Sequence, residues 1–128
     1  MNQPLFTPGR ANRALPLVRR IVADILDRSR ELRGRAALAG AGDPRSDPEV
    51  RGLEREIAEL VRELQKLGCE FKDPSFETGL VDFPAEIGGR PVWLCWRSDE
   101  DRVTHYHGRD EGFASRKRIP DHLLREPE

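Results

Sequence analysis

Two histidines two residues apart, His105 and His107, are followed by Asp110 and Glu111, giving the pattern His-x-His-x-x-x-Glu. On an extended strand, residues two apart point to the same face. Two imidazoles on one face with a nearby carboxylate can hold Zn, Fe or Mn. The candidate set is His105, His107 and Glu111, joined by Asp82 or Cys95 from neighbouring strands. The spacing resembles the metal motif of cupins. That fold is excluded, because the flanking glycines and a second motif are missing and the strands are too few for a double-sheet jelly roll. The favoured reading of the pair is coincidence of spacing, with one histidine facing water and the other packed locally. No cofactor is then expected, and a divalent ion is the alternative.

Other residues carry weaker signals. Asp82 stands between Val81 and Phe83, where a carboxylate is unfavourable unless paired; a structural salt bridge to Arg97, Arg102 or Arg116 is the expected arrangement. Cys95, between Leu94 and Trp96, reads as a buried, inert thiol. Trp93 and Trp96 point to opposite faces, so one belongs to the core and the other covers a helix, lines a cleft or meets a partner. Ser75, Ser98 and Ser115 lie in turns without a Gly-x-Ser-x-Gly elbow. No glycine-rich phosphate loop precedes a helix, and Arg116-Lys117-Arg118 is a short basic run.

The elements that must position these groups follow from spacing. Ala11, Leu15, Val18, Val22, Ile25, Ser29, Leu32, Ala36 and Ala39 alternate at intervals of four and three, as do Val50, Leu53, Ile57, Leu60, Leu64 and Leu67. Thr7 with Pro8 starts the first helix, Ser46 and Glu49 have capping-box spacing around Pro48, and Gly40 and Gly68 follow the ends. A short loop over 40–45 makes the helices antiparallel, and Pro16 is expected to kink the first. Helix 1 exceeds helix 2 by about ten residues, an overhang of roughly 15 Å that the aromatic segment is expected to cover. Leu17, Ile21 and Leu26 widen the apolar face of helix 1, which points to pairing of two hairpins in a homodimer.

After Gly68 the period changes from seven to two. Val81, Phe83, Ala85 and Ile87 alternate with Leu80, Asp82, Pro84 and Glu86. Gly88-Gly89 is a two-residue hairpin turn into a second strand through Val92–Arg97. Ser98–Asp101 turns again, and Arg102–His107 forms a third strand with Val103, His105 and His107 on one face. The fold class is α+β: a long antiparallel, coiled-coil-like two-helix hairpin (8–67), then a three-stranded antiparallel meander with a C-terminal loop (68–119). A tail over 120–128 forms a short helix or frays, and 1–128 is one domain.

With 35% charged residues and a mean hydropathy of -0.68, disorder would follow if the apolar residues were scattered, but their periodicity argues for order. No run approaches the roughly 18 apolar residues of a membrane span and no leader pattern opens the chain, so a cytoplasmic protein with reduced Cys69 and Cys95 is expected. The net charge of -1 hides a basic first helix: Arg10, Arg13, Arg19, Arg20, Arg28, Arg30, Arg33 and Arg35 stand against Asp24, Asp27 and Glu31. Such a rod attracts phosphate backbones, although arginine rows on helices are commonly solvated faces.

Phe6-Thr7, Ala11-Asn12, Leu15-Pro16, Gly79–Pro84, Leu94-Cys95-Trp96, Tyr106-His107 and Gly112-Phe113-Ala114 with Arg116 and Ile119 together resemble the uncharacterised bacterial family known as domain of unknown function 2203. The resemblance spans 6–119, with departures at Arg10, Tyr106, Ser115 and Arg118. It implies this architecture and no established activity, and it draws attention to the third strand and the loop after it. Three functions follow in order: a non-enzymatic, self-associating interaction or scaffold module, with Trp93, Trp96, Leu17, Ile21 and Leu26 meeting a protein partner; a metal-binding, hydrolytic protein built on His105, His107, Glu111 and Asp82; and a nucleic-acid binder through helix 1.

Overall fold

The structure is a computed structural model that describes residues 5–38 and 42–125. Thr7 Oγ1 accepts a hydrogen bond from Arg10 N and opens α1 (Pro8–Leu38), which runs unbroken through Pro16. Gly40, the expected stop signal, lies outside the described residues. A 3-10 turn over Pro44–Ser46 leads into α2 (Pro48–Leu67). Its cap is Asp47, whose carboxylate accepts from Glu49 N, while Ser46 Oγ donates back to Asp43 O. The expected Ser46 cap is therefore displaced by one residue, because the aspartate sits next to the proline at the first helical position. Gly68 ends α2 in the left-handed region at φ 97, as its place after Leu67 predicts.

The sheet has five antiparallel strands in sequence order rather than three. The expected meander is its centre: β2 (Leu80–Ile87), β3 (Arg90–Arg97) and β4 (His105–Gly108). Two-residue edge strands, β1 (Glu70–Phe71) and β5 (Lys117–Arg118), pair outside them. Gly88 and Gly89 take φ 60 and 78, which a tight hairpin with right-handed strand twist requires. The third long strand starts later than expected, because Val103 is clamped instead by Asn12: the amide accepts from Val103 N (2.7 Å) and donates to Val103 O (3.1 Å). Val103 consequently turns into the core rather than sharing a face with the histidines. A five-residue helix, α3 (Asp121–Arg125), closes the described chain.

One face of the sheet packs on the helices. Val81, Phe83 and Ala85 of β2 and Val92, Leu94 and Trp96 of β3 join Leu15, Val18, Ile21, Val22 and Ile25 of α1 and Leu64 of α2 in one cluster. The overhang of α1 is thus covered by the aromatic segment. Gly79 permits this closeness: a Cβ there would stand 2.5 Å from Val22 Cγ1 and 2.7 Å from Ser98 Cβ. Because side chains alternate, Asp82, Trp93, Cys95, His105 and His107 emerge on the opposite face, under the segment after β4.

Candidate metal centre

The hairpin register sets Asp82 directly opposite Cys95, and His107 reaches them diagonally from β4, where it stands opposite Trp93. All three are buried, at 3%, 2% and 3% exposure for Asp82, Cys95 and His107. One donor atom from each lies within 4.8 Å of the other two. His107 Nε2 is 3.0 Å from Asp82 Oδ2, and His107 Nδ1 is 2.9 Å from the Gly108 carbonyl. A carbonyl only accepts, so Nδ1 carries the hydrogen. In a neutral imidazole Nε2 is then a lone pair aimed at a carboxylate oxygen. That contact requires a cation, either a proton on the pair or a metal ion.

Burial pushes the Asp82 carboxyl upward, against the pull of His107 and Lys72, which favours the protonated form. Burial likewise pushes the Cys95 thiol up to about 12, with the Asp82 charge adding to it and Arg116 opposing. Without a cation both acids favour their neutral forms; a bound divalent ion inverts that preference and ionises thiol and carboxyl together. Cys95 is thus the buried thiol with a raised pKa that its place between Leu94 and Trp96 predicts.

Beside the three donors lies a pocket of about 290 Å³, bounded by Lys72, Trp93, Arg109, Glu111 and Phe113. The Arg109 guanidinium stands 4.3 Å from the Trp93 ring centre and the Lys72 ammonium 5.1 Å. Glu111 does not join the donors: its Oε1 accepts from Gly108 N at 2.8 Å, holding the turn that carries the Gly108 carbonyl.

A model of an uncharacterized conserved protein family, DUF2203, matches residues 4–119. The chain belongs to the DUF2203 family. No curated protein and no solved structure matches it. The DUF2203 match takes in all three donors and the whole sheet and ends just before α3.

The expected site of His105, His107, Glu111 and Asp82 is thus divided. His107 and Asp82 come together; His105 does not join them. Its Nδ1 is 2.9 Å from Thr104 Oγ1, and burial with the charges of Arg116 and Arg118 lowers its pKa, against Glu100. Asp82 takes His107 as its partner rather than an arginine. Arg116 instead forms a two-pronged pair with Glu100 at 2.9 and 2.6 Å, while Arg97 engages Asp99. Of the residues expected to meet a partner, Trp96 (0%) and Ile21 (6%) are consumed by the core and Leu26 is half-buried against it. Trp93 is half-buried at the pocket, and Leu17 is exposed at 44%. Several arginines of α1 are engaged internally: Arg19 with the Glu100 and Asp101 carbonyls, Arg28 with Glu56, Arg33 with the Phe76 carbonyl, and Arg35 with Asp47 and Glu49.

Proposed function

We propose that this DUF2203 protein binds a divalent metal ion through Asp82, Cys95 and His107, with zinc as the ion that a thiolate, imidazole and carboxylate set favours. The observation that carries this reading is the His107 ring: its Nδ1–H is committed to the Gly108 carbonyl, so in a neutral ring Nε2 presents a lone pair beside an acidic oxygen and a thiol. A histidine ligand oriented by a backbone carbonyl on its second nitrogen is a recurrent feature of metal sites. Donors around a tetrahedral ion stand roughly 3.3–3.8 Å apart, given bonds of about 2.0–2.3 Å. The present donors, all within 4.8 Å of one another, stand near that spacing without matching it.

Three protein donors leave a fourth position, and the adjoining pocket offers it a way out to Lys72, Trp93 and Arg109. Zinc held this way activates water, so hydrolysis is the reaction class such a centre would serve. The Arg109 guanidinium beside the pocket has its Nε buried without an acceptor among the described residues.

The test is elemental mass spectrometry of protein purified without a histidine tag. About one equivalent of zinc is expected in the native chain, lost in Cys95→Ser and His107→Ala but retained in His105→Ala and Glu111→Ala. Circular dichroism confirms that each variant folds. Native and zinc-reconstituted protein that holds no metal after gel filtration would overturn the reading and leave Asp82–His107 as a buried structural ion pair.

A further inference from the structure

The pocket beside the three donors carries an unmatched charge. Two rings belong to its lining, Trp93 and Phe113, and among the described residues four cations lie over them. Three of the four have a carboxylate of their own: Lys72 pairs with Glu70 at 3.0 Å, Arg97 with Asp99, and Arg116 with Glu100 at 2.6 Å. Arg109 has none. Its guanidinium is 4.3 Å from the Trp93 ring centre, and its Nε is buried without an acceptor among the described residues. Glu111, the neighbouring carboxylate in the same lining, is held by the Gly108 amide at 2.8 Å instead. A guanidinium fixed over a ring keeps its fork of N–H donors, which matches the paired oxygens of a carboxylate or phosphate.

We propose that Arg109 is the seat of an oxyanion, and that the pocket takes a small molecule bearing one carboxylate or phosphate, with its apolar body against Trp93, Phe113 and Leu80. The volume of about 290 Å³ stands at the small end of ligand pockets, which span about 300–1,000 Å³. A compact ligand with a single anionic group fits that space. Asp82, Cys95 and His107 line the same cavity, so a ligand anchored at Arg109 reaches the proposed ion. The substrate of that centre then carries the anion, and Arg109 orients it. This extension rests on the metal reading. The seat itself does not, because Arg109, Trp93 and Phe113 stand in place without an ion, and the two can fail separately.

Proton–nitrogen NMR of the full chain tests it, because the two indoles report the two faces of the sheet separately. Trp93 lines the pocket, whereas Trp96 is in the core with its Nε1–H bonded to the Glu100 carbonyl. Benzoate and phenyl phosphate are titrated into the metal-free and the zinc-loaded chain, with benzyl alcohol as the neutral control. One or both anions are expected to move the Trp93 signal, assigned by its loss in Trp93→Phe, at about millimolar concentration, and to leave Trp96 unmoved. Benzyl alcohol is expected to bind about tenfold more weakly or less. Arg109→Gln should weaken anion binding by about tenfold or more, and Arg97→Gln, whose charge Asp99 already matches, by less than about twofold. Anions that leave the Trp93 signal still in the metal-free chain would overturn the proposal. So would anion binding that survives Arg109→Gln in a folded variant, including binding that appears only with zinc and therefore belongs to the ion. A chain that retains no zinc yet holds benzoate through Arg109 would refute the metal centre and keep the seat.

Discussion

The two faces of the sheet are built from the same strands by opposite rules. Along β3, Leu94 and Trp96 enter the helix-packed core while Trp93 and Cys95 turn to the face that holds Asp82 and His107. The helix-side face is stabilised by apolar area, which any well-fitting aliphatic neighbour can supply. The other face is as deeply buried at its centre, but its groups are acids and an imidazole, each of which must find a specific partner. Tolerance of substitution should therefore differ between faces even where burial is equal.

The largest effect is expected on the helix side. Trp96→Ala removes a side chain with 0% exposure, its Nε1–H bond to the Glu100 carbonyl (3.0 Å) and its contact with Arg19. A loss of about 3–5 kcal/mol in urea unfolding follows for an aromatic deleted from a packed core. A loss below about 1 kcal/mol would mean that this face is not the main source of stability.

On the other face the sign of a second substitution matters more than the size of the first. His107→Ala leaves the buried Asp82 carboxyl without its hydrogen-bond partner, a cost of about 1–3 kcal/mol for an unsatisfied buried polar group. Replacing both groups with apolar ones, Asp82→Leu with His107→Leu, removes that penalty and should recover most of the loss, measured on metal-free protein in the same urea series. Core cavities do not behave this way, since adding a second deletion deepens them. A double variant as unstable as the sum of its singles would erase the distinction between the faces.

How legible each face is in the sequence follows from the same difference. Period-two alternation marks the apolar face directly, and heptad spacing marks both helices. The Asp82–Cys95 juxtaposition is also contained in the sequence: a two-residue turn at Gly88-Gly89 pairs Ile87 with Arg90, and counting back from that pair puts 82 opposite 95. The arrival of His107 is not, because the connection from Ser98 to Thr104 does not fix a register by its length. Here the spacing His-x-His-x-x-x-Glu misleads: His105 and Glu111 have the right types, but the first is drawn to Thr104 and the charges around Glu100, the second to the Gly108 amide. β1 and β5 escape notice because two residues show no period. The Ser46 cap fails for a local reason, since Asp47 satisfies the same amide from closer in.

The smallest effect concerns the buried thiol on the core side. Cys95 lies beside a carboxylate, whereas Cys69 sits on the core side after Gly68, 1% exposed, with its thiol donating to the Leu64 carbonyl at 3.4 Å. Burial pushes Cys69 up to about 12, with the thiolate's hydrogen bond to its own amide opposing and Glu70 adding to the rise. In the unfolded chain the thiol ionises near its ordinary value of 9.0. Between pH 9 and 12 the folded chain therefore binds more protons than the unfolded one, so stability contributed by this group falls as pH rises, with a slope approaching about 1.4 kcal/mol per pH unit. Cys69→Ala removes the titration. The variant should be less stable than the native chain at neutral pH, because a small cavity replaces the sulfur. Above pH 9 the gap should narrow as the native chain alone pays for keeping the thiol neutral. Urea unfolding at intervals from pH 7 to 11 reads this directly: a constant gap would show that the Cys69 thiol ionises as freely in the fold as outside it, and that the core side is not the apolar environment its packing describes.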